Sequence, residues 1–206
     1  MKITSVILAA GQGTRMKSNL PKVLHPVCGK PMVWHALQAA RVVSEETPVM
    51  VIGHGADGVR EAIGDAAHFV IQAERLGTGH AVQQAESTLK GDTDLVLVSS
   101  ADMPLLTGET LSKLVETQKA NTGPMTMLTI IADDPRGFGR IVRGEDGGVE
   151  AIVEEADASD AQKAIRELNV GAYCFDANWL WDALGNIPLS AKGEYYLTDT
   201  VGLAVE

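Results

Sequence analysis

Four short runs, Ile3–Leu8, Val49–Ile52, His68–Ile71 and Leu95–Ser99, are nearly continuous in Val, Ile and Leu. Stretches with helical periodicity accompany them, near Met32–Val43, Val59–Ile63, Gly79–Leu89 and Glu109–Lys119. A strand with one wet face alternates apolar and polar residues, whereas an unbroken apolar run needs cover on both faces. Strand and helix in alternation, with both strand faces covered, predict an α/β fold built on a doubly wound, mostly parallel sheet. Pro31 fits a first helical position, where its missing N–H costs nothing. Thr107 fits the N-cap of the helix that follows it.

The alternation ends near residue 124. Met125–Ala132 and Val170–Phe175 read as further strands, and "GRIVRGEDGGVEAIVEE" reads as two short strands around a Gly-rich turn, hence an inserted β-hairpin. "DASDAQKAIRE" reads as an exposed helix. The closing "YYLTDTVGLAVE" reads as a helix without a Gly or Pro terminator, so the chain is expected to stop before the natural protein does. The whole is read as one domain over 1–206, with about 1–124 and about 125–206 as its two parts.

The 206 residues carry 27 Asp and Glu against 17 Lys and Arg, a net charge of -10. That balance argues against a nucleic-acid surface and requires any anionic ligand to meet a local basic cluster. No apolar window approaches the length of a membrane span, and the first residues lack the pattern of a signal peptide. Cys28 and Cys174 are expected to be free thiols. These features point to a cytoplasmic protein.

The local basic cluster lies in "LAAGQGTRMKSNLPKVLHPVCGKP", residues 8–31. Gly11-Gln12-Gly13 opens like a dinucleotide fingerprint, but Met16 stands where the third glycine belongs, and no Gly-Lys-Ser/Thr follows to make a P-loop. The segment instead leaves a strand at Leu8 through small residues, Ala9, Ala10 and Gly11. Gly13 and Thr14 follow, then Arg15, Lys17 and Lys22. Small residues let a ligand approach the backbone, glycines let several N–H groups converge on an anion, and Arg and Lys pair with phosphate oxygens. The strand's C-terminal edge is also where open α/β sheets bind ligands. A loop of about 20 residues without structure of its own is uncommon unless functional. The alternative is a Gly-rich connector with solvated charges.

"LAAGQGTRM" followed by "LPKVLHPVCGKPM" resembles the signature of the sugar-1-phosphate nucleotidyltransferases. "QAERLGTGHAVQQA", "ADMPLL", "DDPRGFGRIVR", "IVEEADAS", "ELNVGAY" and "GEYYLTD" follow in the order found in the uridyltransferase domains of bacterial bifunctional N-acetylglucosamine-1-phosphate uridyltransferase/glucosamine-1-phosphate acetyltransferases. The resemblance spans essentially the whole chain. It implies a Rossmann-like nucleotidyltransferase fold whose hairpin region binds sugar. It implies transfer of UMP from UTP to N-acetylglucosamine 1-phosphate, giving UDP-N-acetylglucosamine and pyrophosphate, with Mg²⁺ as cofactor. The nucleophile is already an anionic phosphate oxygen, so positioning and charge neutralisation suffice and no catalytic base is needed.

The resemblance assigns Arg15 and Lys22 to catalysis. It places Leu8, Ala9, Ala10, Gly11, Gly13, Thr14, Gln72, Gly77 and Thr78 at the nucleotide. Gln72 ends a strand, and its amide carries both a donor and an acceptor for the uracil N3–H and O4. Taken alone, it could equally make a helix-entry hydrogen bond. Asp102 follows the strand Leu95–Ser99 and could merely cap the next segment; the resemblance makes it the metal ligand, with a second ligand, an Asn, expected beyond Glu206. Gly139, Glu154 and Asn169 match positions that hold the sugar, although taken alone Glu154 reads as a hairpin surface charge and Asn169 as a turn residue. Ser100 and Ala101 stand near the sugar where many relatives carry Tyr-Gly, a departure that bears on sugar preference. The five histidines, at 25, 35, 54, 68 and 80, have no metal-ligand spacing and read as structural or surface residues. Full-length relatives trimerise through a C-terminal β-helix that also carries acetyl transfer, and these residues contain no such segment.

Competing readings are a transferase for another sugar phosphate, a cytidylyl or molybdopterin guanylyl enzyme, and a nucleotide-binding module without catalysis.

Overall fold

The computed structural model describes residues 1–13 and 16–205. Strands are β1 (Ile3–Ala9), β2 (Pro26–Val27), β3 (Lys30–Pro31), β4 (Val49–Ile52), β5 (His68–Ile71), β6 (Leu95–Ser100), β7 (Met125–Ile131), β8 (Arg140–Arg143), β9 (Val149–Val153) and β10 (Glu167–Asp176). Helices are α1 (Met32–Arg41), α2 (Ala56–Ile63), α3 (Thr78–Gln83), α4 (Glu86–Leu89), α5 (Gly108–Ala120), α6 (Asp160–Lys163), α7 (Ala177–Leu184) and α8 (Thr200–Val205). Among the described residues no helix is long and apolar enough to cross a membrane.

Four strands form the parallel half of the sheet in the order β5-β4-β1-β6. The chain runs outward from β1 through β4 to β5, then returns to place β6 on the other side of β1. The order reverses between β1 and β6, and a crevice opens beyond their carboxyl ends at such a point. Alternate residues of these strands serve opposite layers. Ile7, Met50 and Ile52 pack on Val33 and Leu37 of α1 and Val59 of α2, while Leu95 and Leu97 pack on Leu111 and Leu114 of α5. Val6, Val51, Val96 and Val98 face Val82 of α3, Leu180 and Trp181 of α7 and Val201 of α8.

The expectation of cover on both faces holds for β1, β4 and β6 and fails for β5. Strand β5 lies at the sheet edge, and Ile71 is 55% exposed. The helix expected over Gly79–Leu89 is interrupted between α3 and α4. Thr107 caps α5 as expected, its hydroxyl accepting from the Thr110 N–H at 3.2 Å. Pro31 stands at the N-cap of α1, one place before the first turn.

The second half extends the sheet with antiparallel strands. One edge of β10 pairs with β6 through Tyr173–Asp176 and with β8 at Leu168, and β7 takes the other edge. Strands β8 and β9 form the expected hairpin. In β10 the register with β7 shifts between Asn169 and Tyr173, and Gly171 lies there at φ +83°. A bulge at a sheet junction redirects the side chains beside it. Cys174 is buried in β10, where burial pushes its thiol up to about 12, and Cys28 is exposed; both are free.

Phe175 is fully buried where β10 meets β6, 5.7 Å from the Tyr173 ring and 6.3 Å from that of Trp179. Phe175→Ala is expected to cost about 3–5 kcal/mol by transfer and cavity formation. Urea unfolding of the two proteins checks this, and a loss under about 1 kcal/mol would mean the junction is not closely packed.

Candidate active site

A cavity of about 410 Å³ opens beyond the carboxyl ends of β1 and β6. Leu8, Ala10 and Gly11 line it from the β1 turn, and Gln72, Arg75, Gly77, Thr78 and Ala81 from the segment after β5 and α3. Ser100 lines it from β6, Glu154 from the end of β9, and Asn169, Gly171 and Tyr173 from β10. The segment Glu194–Thr198 completes the wall through Glu194, Tyr196, Leu197 and Thr198.

The β1 turn carries its small residues for two different reasons. Ala10 faces the cavity, but Ala9 turns its side chain into the layer of α1 and α2. Only the Ala9 backbone is therefore at the edge. Ala101 is likewise fully buried in that layer, and its N–H donates to the Leu8 carbonyl at 3.0 Å, tying the ends of β1 and β6 together. Within residues 16–31 the loop has structure of its own, unlike a plain connector. Lys22–Leu24 form a 3₁₀ turn, and β2 and β3 form a short hairpin before α1. Gly13 has φ +66°, and a Cβ there would lie 2.4 Å from Cβ of Lys22. Its lack of a side chain is what lets Lys22 fold back over the loop. Thr14 and Arg15 lie outside the described residues.

Lys22 reaches Asp102, pairing its ammonium with Oδ2, and the Ser100 hydroxyl donates to Oδ1 at 2.6 Å. Burial works to raise the Asp102 pKa, but the bonds from Lys22 and Ser100 outweigh it and hold the carboxyl below its ordinary value. Lys22, Asp102 and Gly13 do not line the main cavity; Ser100 connects them to it.

Gln72 is buried and bonds inward, with Nε2 3.0 Å from the Gly77 carbonyl and 3.1 Å from His80 Nδ1. Both amide hydrogens are thus occupied, which leaves the amide no donor for an incoming base. Gly77 has φ +100°, and a Cβ on it would fall 2.4 Å from the Tyr195 carbonyl oxygen. The Gly77 turn is sewn to the later segment: Tyr195 N–H donates to Leu76 O at 2.7 Å, Gly79 N–H to Tyr195 O at 2.8 Å, and Leu197 N–H to the Thr78 hydroxyl at 2.9 Å.

Where β8, β9 and β10 meet, Gly139, Glu154 and Asn169 come together. The Asn169 N–H donates to Gly139 O at 2.9 Å, and a Cβ on Gly139 would lie 3.5 Å from Asn169 and 3.7 Å from Glu154 Oε1. Glu154 is no surface charge. Burial raises its pKa, opposed by the Thr198 hydroxyl that donates to Oε1 at 3.2 Å and supported by Asp157 and Asp199. Asn169 is held by the bulge: its Oδ1 accepts from Gly171 N–H at 3.0 Å and from the Tyr173 hydroxyl at 2.9 Å. Its Nδ2 hydrogens are then the donors it offers to a ligand.

Residue-by-residue reading missed Arg75, Tyr173, Tyr196 and Thr198. Arg75 lines the cavity and donates to Gln12 Oε1 at 2.5 Å. Its signal was a lone cation directly before the "LGTG" turn, Leu76 to Gly79, within a stretch already singled out. Tyr196 and Thr198 lie in "GEYYLTD", where polar residues interrupt an otherwise apolar ending.

The parallel sheet thus ends in a crevice at its switch point, with glycines, cations and fixed polar groups around it. The chain belongs to the MobA-like NTP transferase domain family, whose pattern it matches over residues 5–166. It is 51% identical over 203 residues to the bifunctional protein GlmU of Heliobacterium modesticaldum, a match covering 98% of this chain and 44% of that protein. It is 49% identical over 207 residues to the GlmU of an Exiguobacterium species, covering 100% of this chain and 46% of that one. For Bacillus subtilis GlmU the identity is 46% over 198 residues, covering 96% and 43%. The chain thus spans less than half the length of these relatives. A crystal structure of UDP-glucose pyrophosphorylase complexed with UDP-glucose superposes with a TM-score of 0.75 at 18% identity, covering 98% of this chain and 86% of that one, and shares its fold.

The raised Glu154 pKa has a consequence for stability. Folding disfavours the charged form, so its penalty is absent well below the ordinary value of 4.5 and grows as pH rises from there through the raised folded value. Glu154→Gln removes the titration. Its stability relative to the parent protein is expected to improve between about pH 4 and pH 7, followed by urea unfolding at about half-unit steps. A difference that stays flat across that range contradicts a buried, ionisable Glu154.

Proposed function

We propose that the chain transfers UMP from UTP to N-acetylglucosamine 1-phosphate, releasing pyrophosphate and forming UDP-N-acetylglucosamine. The observation that carries this reading is one cavity lined together by the β1 turn, by Gln72 and the Gly77 turn, and by Glu154 and Asn169. Backbone, amide and carboxylate groups in one space suit a base, phosphates and a sugar bound together. The GlmU relatives support the assignment at the level of sequence, and the structural neighbour supports it at the level of fold, since that protein carries a UDP-sugar.

An oxygen of the sugar phosphate attacks the α-phosphorus, a P–O bond forms to it, and the bond to the bridging oxygen breaks with pyrophosphate taking the electron pair. The attacking oxygen is anionic from the start, so the residues need only align and neutralise. Gly11 and its neighbours admit the phosphates close to the backbone. Lys22, held over the loop by its packing on Gly13, offers its ammonium, and Arg15 has the fork that suits phosphate oxygens. Glu154 accepts from sugar hydroxyl or amide groups, and Asn169 donates to them.

Asp102 would hold a divalent cation of the Mg²⁺ type once the Lys22 ammonium that pairs with its Oδ2 turns to the phosphates. Among the described residues there is no grouping of three His, Cys, Asp or Glu to cage a metal, and Asp102 is one carboxylate beside the Ser100 hydroxyl. Mg²⁺ is satisfied by one or two carboxylates together with substrate phosphates and water. When bound it would supply Lewis-acid neutralisation of the phosphate charge.

Pyrophosphate release measured with each of four nucleoside triphosphates, against N-acetylglucosamine 1-phosphate and glucose 1-phosphate, tests the reading. UTP with the acetylated sugar is expected to give the highest kcat/KM, and equal release from all four nucleotides would sink it. Asp102→Asn is expected to lower turnover by about a hundredfold or more while the melting temperature stays near that of the parent, since it removes charge at the transferring phosphate. A folded mutant with near-normal turnover would remove Asp102 from the site.

A further inference from the structure

We propose that His80 is a positioning residue that holds the Gln72 amide in one of its two orientations, so that the site selects a base carrying a proton at N3. This rests on the uridine reading above and adds to it a residue standing behind the base-reading group. Gln72 lines the cavity but is only 5% exposed. Its Nε2 is 3.0 Å from the Gly77 carbonyl oxygen and 3.1 Å from His80 Nδ1. An amide nitrogen has two hydrogens, and these two contacts use both. The Gly77 carbonyl can only accept, so the amide nitrogen must face inward, and His80 Nδ1 must then accept as well, which places the ring proton on Nε2. The Gln84 amide nitrogen lies 3.1 Å from that Nε2 and donates to the His80 carbonyl oxygen at 3.0 Å, so its oxygen can meet the ring N–H only by giving up that backbone bond.

Oε1 is left as the polar atom of Gln72 without a partner among the described residues. It accepts from the N3–H of uracil, whereas the bare N3 of cytosine would oppose it acceptor to acceptor. A glutamine free to turn over would suit both bases. One fixed through both hydrogens cannot present its NH₂ without setting Oε1 against the Gly77 carbonyl and leaving the His80 pair without a donor. The Gly77 carbonyl and His80 Nδ1 thus hold the amide together, and discrimination draws on His80 even though that residue is not required to touch the nucleotide. The "LGTGHA" stretch places it there because α3 begins at Thr78, and its first turn swings the imidazole back under the strand end that carries Gln72.

The test measures kcat and KM for UTP and for CTP, at saturating sugar phosphate, in the parent protein, His80→Phe and His80→Ala, with a melting curve for each. His80→Phe keeps the ring's bulk and removes the acceptor. The UTP-over-CTP ratio of kcat/KM is expected to fall by about fivefold to tenfold, the scale of one hydrogen bond, with the change falling on the KM for UTP more than on kcat. The His80 ring also lines a second cavity of about 180 Å³ with Leu184, Ile187 and Tyr195. His80→Ala extends that cavity, and added imidazole is expected to restore the ratio, a rescue that mere loss of packing would not show. An unchanged ratio in folded His80→Phe overturns the proposal, as does a His80→Ala ratio that imidazole leaves unmoved. Should the Phe variant fail to fold, the Ala variant with and without imidazole decides. No preference for UTP in the parent protein would sink the uridine reading itself, whereas a strong parental preference that survives His80→Phe sinks this inference alone.

Discussion

Strand β1 pairs in parallel with β4 along one edge and with β6 along the other, and the site depends on this double pairing. Being central, β1 must be apolar on both faces, which is why Ile7 and Val6 serve opposite helical layers. Being the strand where the order reverses, it ends in a crevice that no helix crosses. The Ala101 N–H bond to Leu8 O then sets how far apart the two strand ends can lie. The β1 turn on one side and the Ser100–Asp102 pair on the other inherit their separation from that register.

Two carboxylates in this site experience opposite environments. Asp102 is held below its ordinary pKa despite burial, because Lys22 and Ser100 bond to its charged form. Glu154 is pushed up by burial, with the Thr198 hydroxyl as its hydrogen-bond partner and two acidic neighbours nearby. The amides follow the same logic: Gln72 has its donors committed and offers an acceptor, while Asn169 has its acceptor committed and offers donors.

Much of the parallel half was legible because buried strands are written as contiguous apolar residues, and the β8–β9 hairpin because its turn is written in glycines. Strand β5 was read with its observed bounds, but its edge position escaped because "HFVI" looks the same at an edge as at a centre, and edge position is decided by which strand pairs last. The order within residues 16–31 was hidden for a related reason. The partners that fix it are remote, as where Gly55, at φ +74°, leaves room for Pro21. Gln72 was found by its place at a strand end, but the direction of its amide depends on Gly77 and His80 and could not be read from spacing. Glu154 and Asn169 looked like surface and turn residues because their burial is conferred by Thr198 and by the β10 bulge.

The bonds between the Gly77 turn and the Tyr195–Leu197 backbone join segments far apart in the chain, Thr78 and Leu197 being 119 residues from one another. Synthesis proceeds from the N-terminus, and the parallel strands can pair once β6 has emerged. The Gly77 turn at that stage still lacks the backbone that holds Gly79 and Thr78. The nascent chain therefore acquires a sheet well before it acquires a closed binding site. Docking of the Tyr195–Leu197 segment is therefore a late step of assembly, and the wall it completes around the cavity closes only then.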